Sequence, residues 1–276
     1  MINDHTRVKL AAGAQPFLRT HNVIQFGADA TRTGMVTTER ADDVAALLST
    51  LQRARQLSWV IEQLAPIVGA DAARSLVDDL VSYRVLTPAA RPSVLLVGHG
   101  PLASALTSRL RESGLDVRTP ARGEALSRFL LRTDRWLPVT AVNSTALLGE
   151  LAALTRIRQG PVVPVTQADA RVAVGPVCAR PGPCPLCVRL YLLGRDPNWP
   201  VVEQHSPLSV SGEAASAAAG AAFAAVTLRR LAGVPDPPGV SAPTPSPGHL
   251  RVVDPFAPIP VSTATLPPHP DCSMCY

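Results

Sequence analysis

The sequence predicts an α/β chain of two modules: a small winged-helix-like α+β domain, then a Rossmann-like α/β domain closed by a cysteine staple. Three observations carry this. Strand-like runs and three helical periodicities fill residues 15–90. An apolar tetrad, Val94–Val97, then runs into Gly98-His99-Gly100 and a helical pattern, the opening of a βαβ unit. Two CxxC pairs, Cys184/Cys187 and Cys272/Cys275, flank an intervening stretch of 84 residues. Four thiolates satisfy tetrahedral zinc, so the tail is expected to fold back onto the middle of the chain around a structural Zn²⁺. Two redox pairs or free thiols are the competing reading of the same cysteines.

In chain order, residues 1–14 read as a disordered lead-in. Val23, Ile24 and Phe26 form a β-prone run, the turn Gly27-Ala28-Asp29 follows, and Met35-Val36-Thr37 extends again. Three helices are expected over Asp42–Leu51, Ser58–Val68 and Ala70–Tyr83. Ser58 is placed as an N-cap, and VLTP closes the segment as a short strand. Small domains of this kind bind DNA or capture peptides. A DNA-reading helix presents Arg, Lys, Asn or Gln to bases and phosphates. The third helix instead carries Asp71, Asp78 and Asp79 against Arg74 and Arg84, which repels a phosphate backbone. Nucleic acid is therefore not an expected partner.

Residues 89–92 read as the linker. In the second module Leu102–Glu112 is expected to be helical, and Leu115–Arg118, Val139–Val142, Val162–Val165 and Arg171–Val174 to be strands, with a helix over Thr145–Arg158. The third glycine of the dinucleotide fingerprint falls on Ala103, so Gly98, Gly100 and Ala103 mark a vestigial nucleotide turn. The strand that should end in a ribose-binding acid ends in Arg118. Lys9 is the only lysine, and no acidic motif for Mg²⁺ is evident. ATP is not expected to bind. Cys178 is either a small buried apolar residue or a nucleophile. Glu213–Leu231 is an alanine-rich helix, residues 234–249 are a Pro-rich exposed loop, and Val252, Val253 and Phe256 are strand-like contacts.

The chain has 276 residues, 46% of them hydrophobic and 4% aromatic, so its core must be aliphatic. A net charge of +5 with no basic block excludes a nucleic-acid tail. MINDHTRVKL has no apolar signal region, and the most apolar helical run ends in Arg229-Arg230. A cytoplasmic protein with no membrane partner is expected.

Two resemblances sharpen this. The order HNVIQF, GMVTT, three helices and VLTP resembles the RiPP recognition element, the PqqD-like domain that binds leader peptides of ribosomally made natural products. The resemblance implies β-augmentation at an edge formed by Val23, Ile24, Gln25, Phe26, Met35 and Val36, against a helix wall of Leu76, Asp79, Leu80 and Tyr83. From residue 92 onward, the Gly turn, VAVGPVCARPGPCPLC, RDPNWP and the terminal CSMC resemble the ThiF/MoeB-like (ubiquitin-activating-enzyme-like) domains found beside azole-forming (TOMM) peptide cyclodehydratases. That resemblance implies a leader-peptide-binding scaffold with no catalytic residues of its own, a YcaO-type cyclodehydratase as partner, and a homodimer as a further expectation. The competing readings are an active ATP-dependent adenylating enzyme and a winged-helix DNA-binding regulator.

Overall fold

The computed structural model describes residues 2–155, 157–205 and 212–276. It is a mixed α/β chain, as expected, and it divides into two compact units: residues 1–90 with 235–243, and residues 91–234 with 244–276.

In the first unit, β1 (Arg7–Leu10) is followed by β2 (Pro16–Thr20), β3 (Val23–Phe26), α1 (Ala30–Thr33) and β4 (Met35–Thr37). Then come α2 (Ala41–Ser49), β5 (Arg55–Gln56), α3 (Leu57–Val68), α4 (Ala70–Ser82) and β6 (Leu86–Pro88). Two three-stranded sheets result, ordered β5-β1-β6 and β2-β3-β4. The expected disordered lead-in is thus corrected. β1 is the central strand of its sheet, with Val8 opposite both Arg55 and Pro88 and fully buried. The helices occupy nearly the expected spans, because Val44/Leu48, Val60/Leu64 and Val77/Leu80 recur at helical spacing and all bury in one core with Ile24 and Phe26. Ser58 does not cap α3. Gln56 holds the N-cap position, and the Ser58 N–H donates to the Asp4 carbonyl at 2.9 Å. The stretch 235–243, expected as part of a free loop, groups with this unit; its Val240 carbonyl accepts from the Arg84 guanidinium at 2.9 Å.

The second unit runs β7 (Ser93–Gly98), α5 (Pro101–Glu112), β8 (Asp116–Arg118), α6 (Leu126–Leu131), β9 (Val139–Val142) and α7 (Leu148–Leu154). It continues with β10 (Val162–Ala168), β11 (Arg171–Val174), α8 (Pro185–Arg195), α9 (Trp199–His205), α10 (Ala214–Leu231), β12 (His249–Val253) and β13 (Val261–Thr265). One seven-stranded sheet, β13-β12-β11-β10-β9-β7-β8, holds it together. The β8-β7-β9-β10 half is parallel and the rest antiparallel. Strand alternation splits the core by face: Val94 and Leu96 join the α5–α10 side, while Leu95 and Val97 join Phe129, Leu130, Leu148 and Leu151. Both faces are covered, which is why these strands read as unbroken apolar runs. Alanine and glycine on α10 let it approach the sheet closely; a Cβ at Gly220 would overlap the Val172 side chain. The expected helix over Thr145–Arg158 is a 3-10 turn followed by the shorter α7. Phe256, expected as a strand contact, lies beyond β12 and is exposed. Among the described residues no helix is long and apolar enough to cross a membrane.

Candidate functional site

Two features are candidate sites, one in each unit. The first is a groove of about 370 Å³ beside β4. Val36, Thr37, Thr38 and Glu39 line one side of it. Ile67 and Val68 at the end of α3, and Ala72 and Leu76 on α4, line the other. Ala72 and Leu76 are four residues apart and so share one helix face. Asp79 and Tyr83, three and seven residues beyond Leu76, continue that face and are exposed. Arg40 at the groove's rim is neutralised by Asp43 at 2.6 Å.

The strand β4 is an edge. Its pairing with β3 sets Val36 opposite Ile24, and Thr38 N–H donates to the Asn22 carbonyl. In an antiparallel ladder alternate residues turn their peptide groups inward. Val36 therefore bonds to β3, and the N–H and C=O groups of Met35 and Thr37 face outward along the groove.

This geometry corrects the expected edge. Val23, Ile24, Gln25 and Phe26 belong to β3, which lies between β2 and β4 and has no free edge. Ile24, Gln25 and Phe26 are buried, and Leu80 is a core residue. Of the expected peptide-contacting residues, Val36 and Leu76 line the groove, with Met35 on the same edge strand. Sequence reasoning missed Ile67, Val68 and Ala72. The only signal for them is the i, i+4 relation of Ala72 to Leu76, which does not distinguish groove from core.

The second cluster is Cys184, Cys187, Cys272 and Cys275, whose sulfurs all lie within 4.8 Å of one another. Cys184 is the N-cap of α8 and Cys187 lies in its first turn. In each knuckle the second cysteine's N–H donates to the first one's carbonyl, at 3.0 and 3.2 Å. Sulfur separations of 3.4, 3.5 and 3.8 Å are far longer than a disulfide's roughly 2.05 Å. They sit close to the edge, about 3.8 Å, of a tetrahedron with metal–sulfur bonds of about 2.3 Å. Burial pushes the Cys184 thiol up, and burial with neighbouring thiols takes Cys275 to about 11. Burial also raises Cys272, but the Met274 N–H and the other cysteines outweigh it and leave that thiol lowered. A divalent cation resolves this crowding by stabilising all four as thiolates. The donor set and spacing fit zinc. Cys178 is not part of the set: it packs with Val162 and Val188, and burial holds its thiol well above the ordinary value, which disfavours the nucleophile.

The glycine turn Gly98-His99-Gly100 joins β7 to α5. A Cβ at Gly98, where φ is +121°, would overlap the Val142 carbonyl, so close strand packing explains that glycine by itself. Ala103 is buried on α5.

No protein-family model matches the sequence, and no curated protein matches it. Solved structures do. A heterocyclase in complex with substrate and cofactor matches over 98% of this chain at 17% identity, with a TM-score of 0.58. The heterocyclase TruD matches over 98% at 15% identity, TM-score 0.57. This chain spans about two-fifths of their lengths, 39% and 43%. E. coli MccB with ATP matches over 98% of this chain and all of its own length at 9% identity, with a TM-score of 0.49, too weak a likeness to carry argument. The chain shares its fold with part of these heterocyclases.

Proposed function

We propose that this chain is a leader-peptide-binding scaffold for azole-forming peptide biosynthesis. It captures an extended segment of a precursor peptide as an added strand on β4 and presents the rest of that peptide to a YcaO-type cyclodehydratase. The observation that carries this reading is the pairing of an open strand edge with a groove in which Val36, Ile67, Val68, Ala72 and Leu76 form an apolar wall beside the polar Thr37, Thr38, Glu39 and Arg40. β-augmentation needs both: backbone groups for affinity and pockets for alternate side chains. Residues 15–90 act on this reading as the peptide-recognition element, in its winged-helix-like form. The Rossmann-like, ThiF-type domain serves as a platform closed by zinc on four cysteines, with no open metal position and hence no metal chemistry. The fold shared with two heterocyclases, one of them solved with substrate, supports this context. Ring formation is assigned to the partner, and the chain is read as non-catalytic.

The test is binding of a fluorescently labelled leader peptide, measured by anisotropy, to wild type and Thr37→Pro. The Thr37 N–H faces outward, so proline there removes a donor from the open edge and leaves the β3–β4 ladder intact. Val36 before it is already extended, as proline requires. Binding is expected to weaken at least about tenfold, the equivalent of about 1.4 kcal/mol, with little change in melting temperature. Unaltered binding by the variant would refute augmentation at β4.

A further inference from the structure

Gln25 is a polar side chain only 6% exposed, in the central strand of its sheet. Its amide nitrogen donates to the carbonyls of Gly27 and Ala28 at 2.9 and 3.2 Å. Its remaining oxygen accepts from Arg19 Nη1 at 3.1 Å, and the same nitrogen lies 3.2 Å from Met35 Sδ. Arg19 is the residue at which the β2–β3 register shifts, between Leu18 and Thr20. The bulge re-aims its side chain across β3 to the edge strand. Register places Phe17, Gln25 and Met35 in one row across the sheet, on the face opposite Ile24 and Val36. Arg19 is exposed, and among the described residues no carboxylate pairs with it. A buried amide thus fixes an unneutralised guanidinium beside the outward peptide groups of β4.

We infer that Arg19 is a specificity-determining residue that selects an acidic side chain in the bound strand, at the position opposite Met35. The inference rests on the reading of β4 as a peptide-docking edge. A strand added there alternates its side chains between two faces. Residues opposite Val36 and Thr38 point into the groove toward its apolar wall of Ile67, Val68, Ala72 and Leu76, and the residue opposite Met35 points to the Arg19 face. Directly opposed residues in a ladder hold their Cβ atoms roughly 5 Å apart, within reach of a guanidinium–carboxylate contact. The ligand is therefore a peptide with two apolar residues separated by one. An acidic residue adjoins the pair: after it if the strand docks antiparallel to β4, before it if parallel.

The test selects a display library of short random peptides on the full chain, with wild type and Arg19→Glu run in parallel. Wild type is expected to enrich the apolar pair with an adjoining Asp or Glu, and Arg19→Glu to enrich Lys or Arg there instead. In a selected peptide, Glu→Gln is expected to weaken binding to wild type about tenfold, and to Arg19→Gln by less than about twofold. Enrichment of the apolar pair with no charge preference, unchanged in Arg19→Glu but lost in Thr37→Pro, overturns the role of Arg19 and leaves the docking edge standing. Selected peptides that bind Thr37→Pro as well as wild type overturn the docking edge, and this inference with it.

Discussion

Stripping metal from the four-cysteine cluster tests how the second unit is closed. The two knuckles are separated by 84 residues of sequence, and the chain after β13 reaches α8 through Cys272, which is 1% exposed. A cation bound only by the folded chain stabilises it by about 2.7 kcal/mol when free zinc is about 100 times its dissociation constant. For a unit of this size each kcal/mol is worth about 2–4 °C, so chelation should lower the melting temperature by about 5–10 °C. The assay is scanning fluorimetry of the purified chain before and after a high-affinity chelator, with elemental analysis of the starting material. One zinc per chain is expected, and cobalt substitution should give the absorption of a tetrahedral four-thiolate site. Cys187→Ser should reproduce the loss, because the Cys187 sulfur is buried and lies 3.4 Å from that of Cys275. A chain that carries no metal and melts at the same temperature with and without chelator would refute the assignment.

Glu213 caps α10: its carboxylate accepts from the Ser216 N–H at 2.7 Å, and the N–H groups of Ala215 and Ser216 hold its pKa below the ordinary 4.5. Glu213→Gln should therefore melt lower than wild type at neutral pH, and the gap should close as pH falls below about 4.5, where the wild-type carboxyl takes up its proton. Duplex DNA should not bind measurably at physiological salt: the first unit holds nine Lys/Arg against ten Asp/Glu, and Asp71, Asp78 and Asp79 lie on the helix that would have to face the phosphates. Titration of labelled duplex at two salt concentrations checks this, and tight, steeply salt-dependent binding would favour the regulator.

What could be read from the sequence follows from the range of the interactions involved. Val94–Val97 and Val139–Val142 form buried strands because local apolar runs decide them, and the cysteine pairs meet because CxxC spacing is itself a local signal. β1 is hard to read because Arg7-Val8-Lys9-Leu10, though it alternates polar and apolar, is the shortest span that carries this signal, and its partners lie far along the chain at Arg55 and Pro88. Missing β2, which opens on Pro16 and carries a bulge at Arg19, had a larger consequence. Without it, β3 reads as the edge of a hairpin, and Gln25 as a ligand contact. With it, β3 is central, and Gln25 orients the arginine that reaches the edge strand β4.

The choice of β4 over another edge strand, β13, rests on what lies beside it. β13 is also an edge strand, five residues long and free of proline and charge. Its Ser262, Thr263, Ala264 and Thr265 are all exposed, so a strand added there would gain backbone bonds but no apolar burial. Backbone bonds alone add little net affinity, since each replaces a bond to water. At β4 the same bonds come with a groove whose walls, Ile67, Val68, Ala72 and Leu76, come from two helices meeting at Gly69. Gly69 has a φ of +91°, which permits the sharp turn between α3 and α4. The groove exists because that turn sets the end of one helix and the start of the next against the same strand. Residues distant in pattern but joined by one glycine thus supply the groove on which the proposed docking at β4 rests.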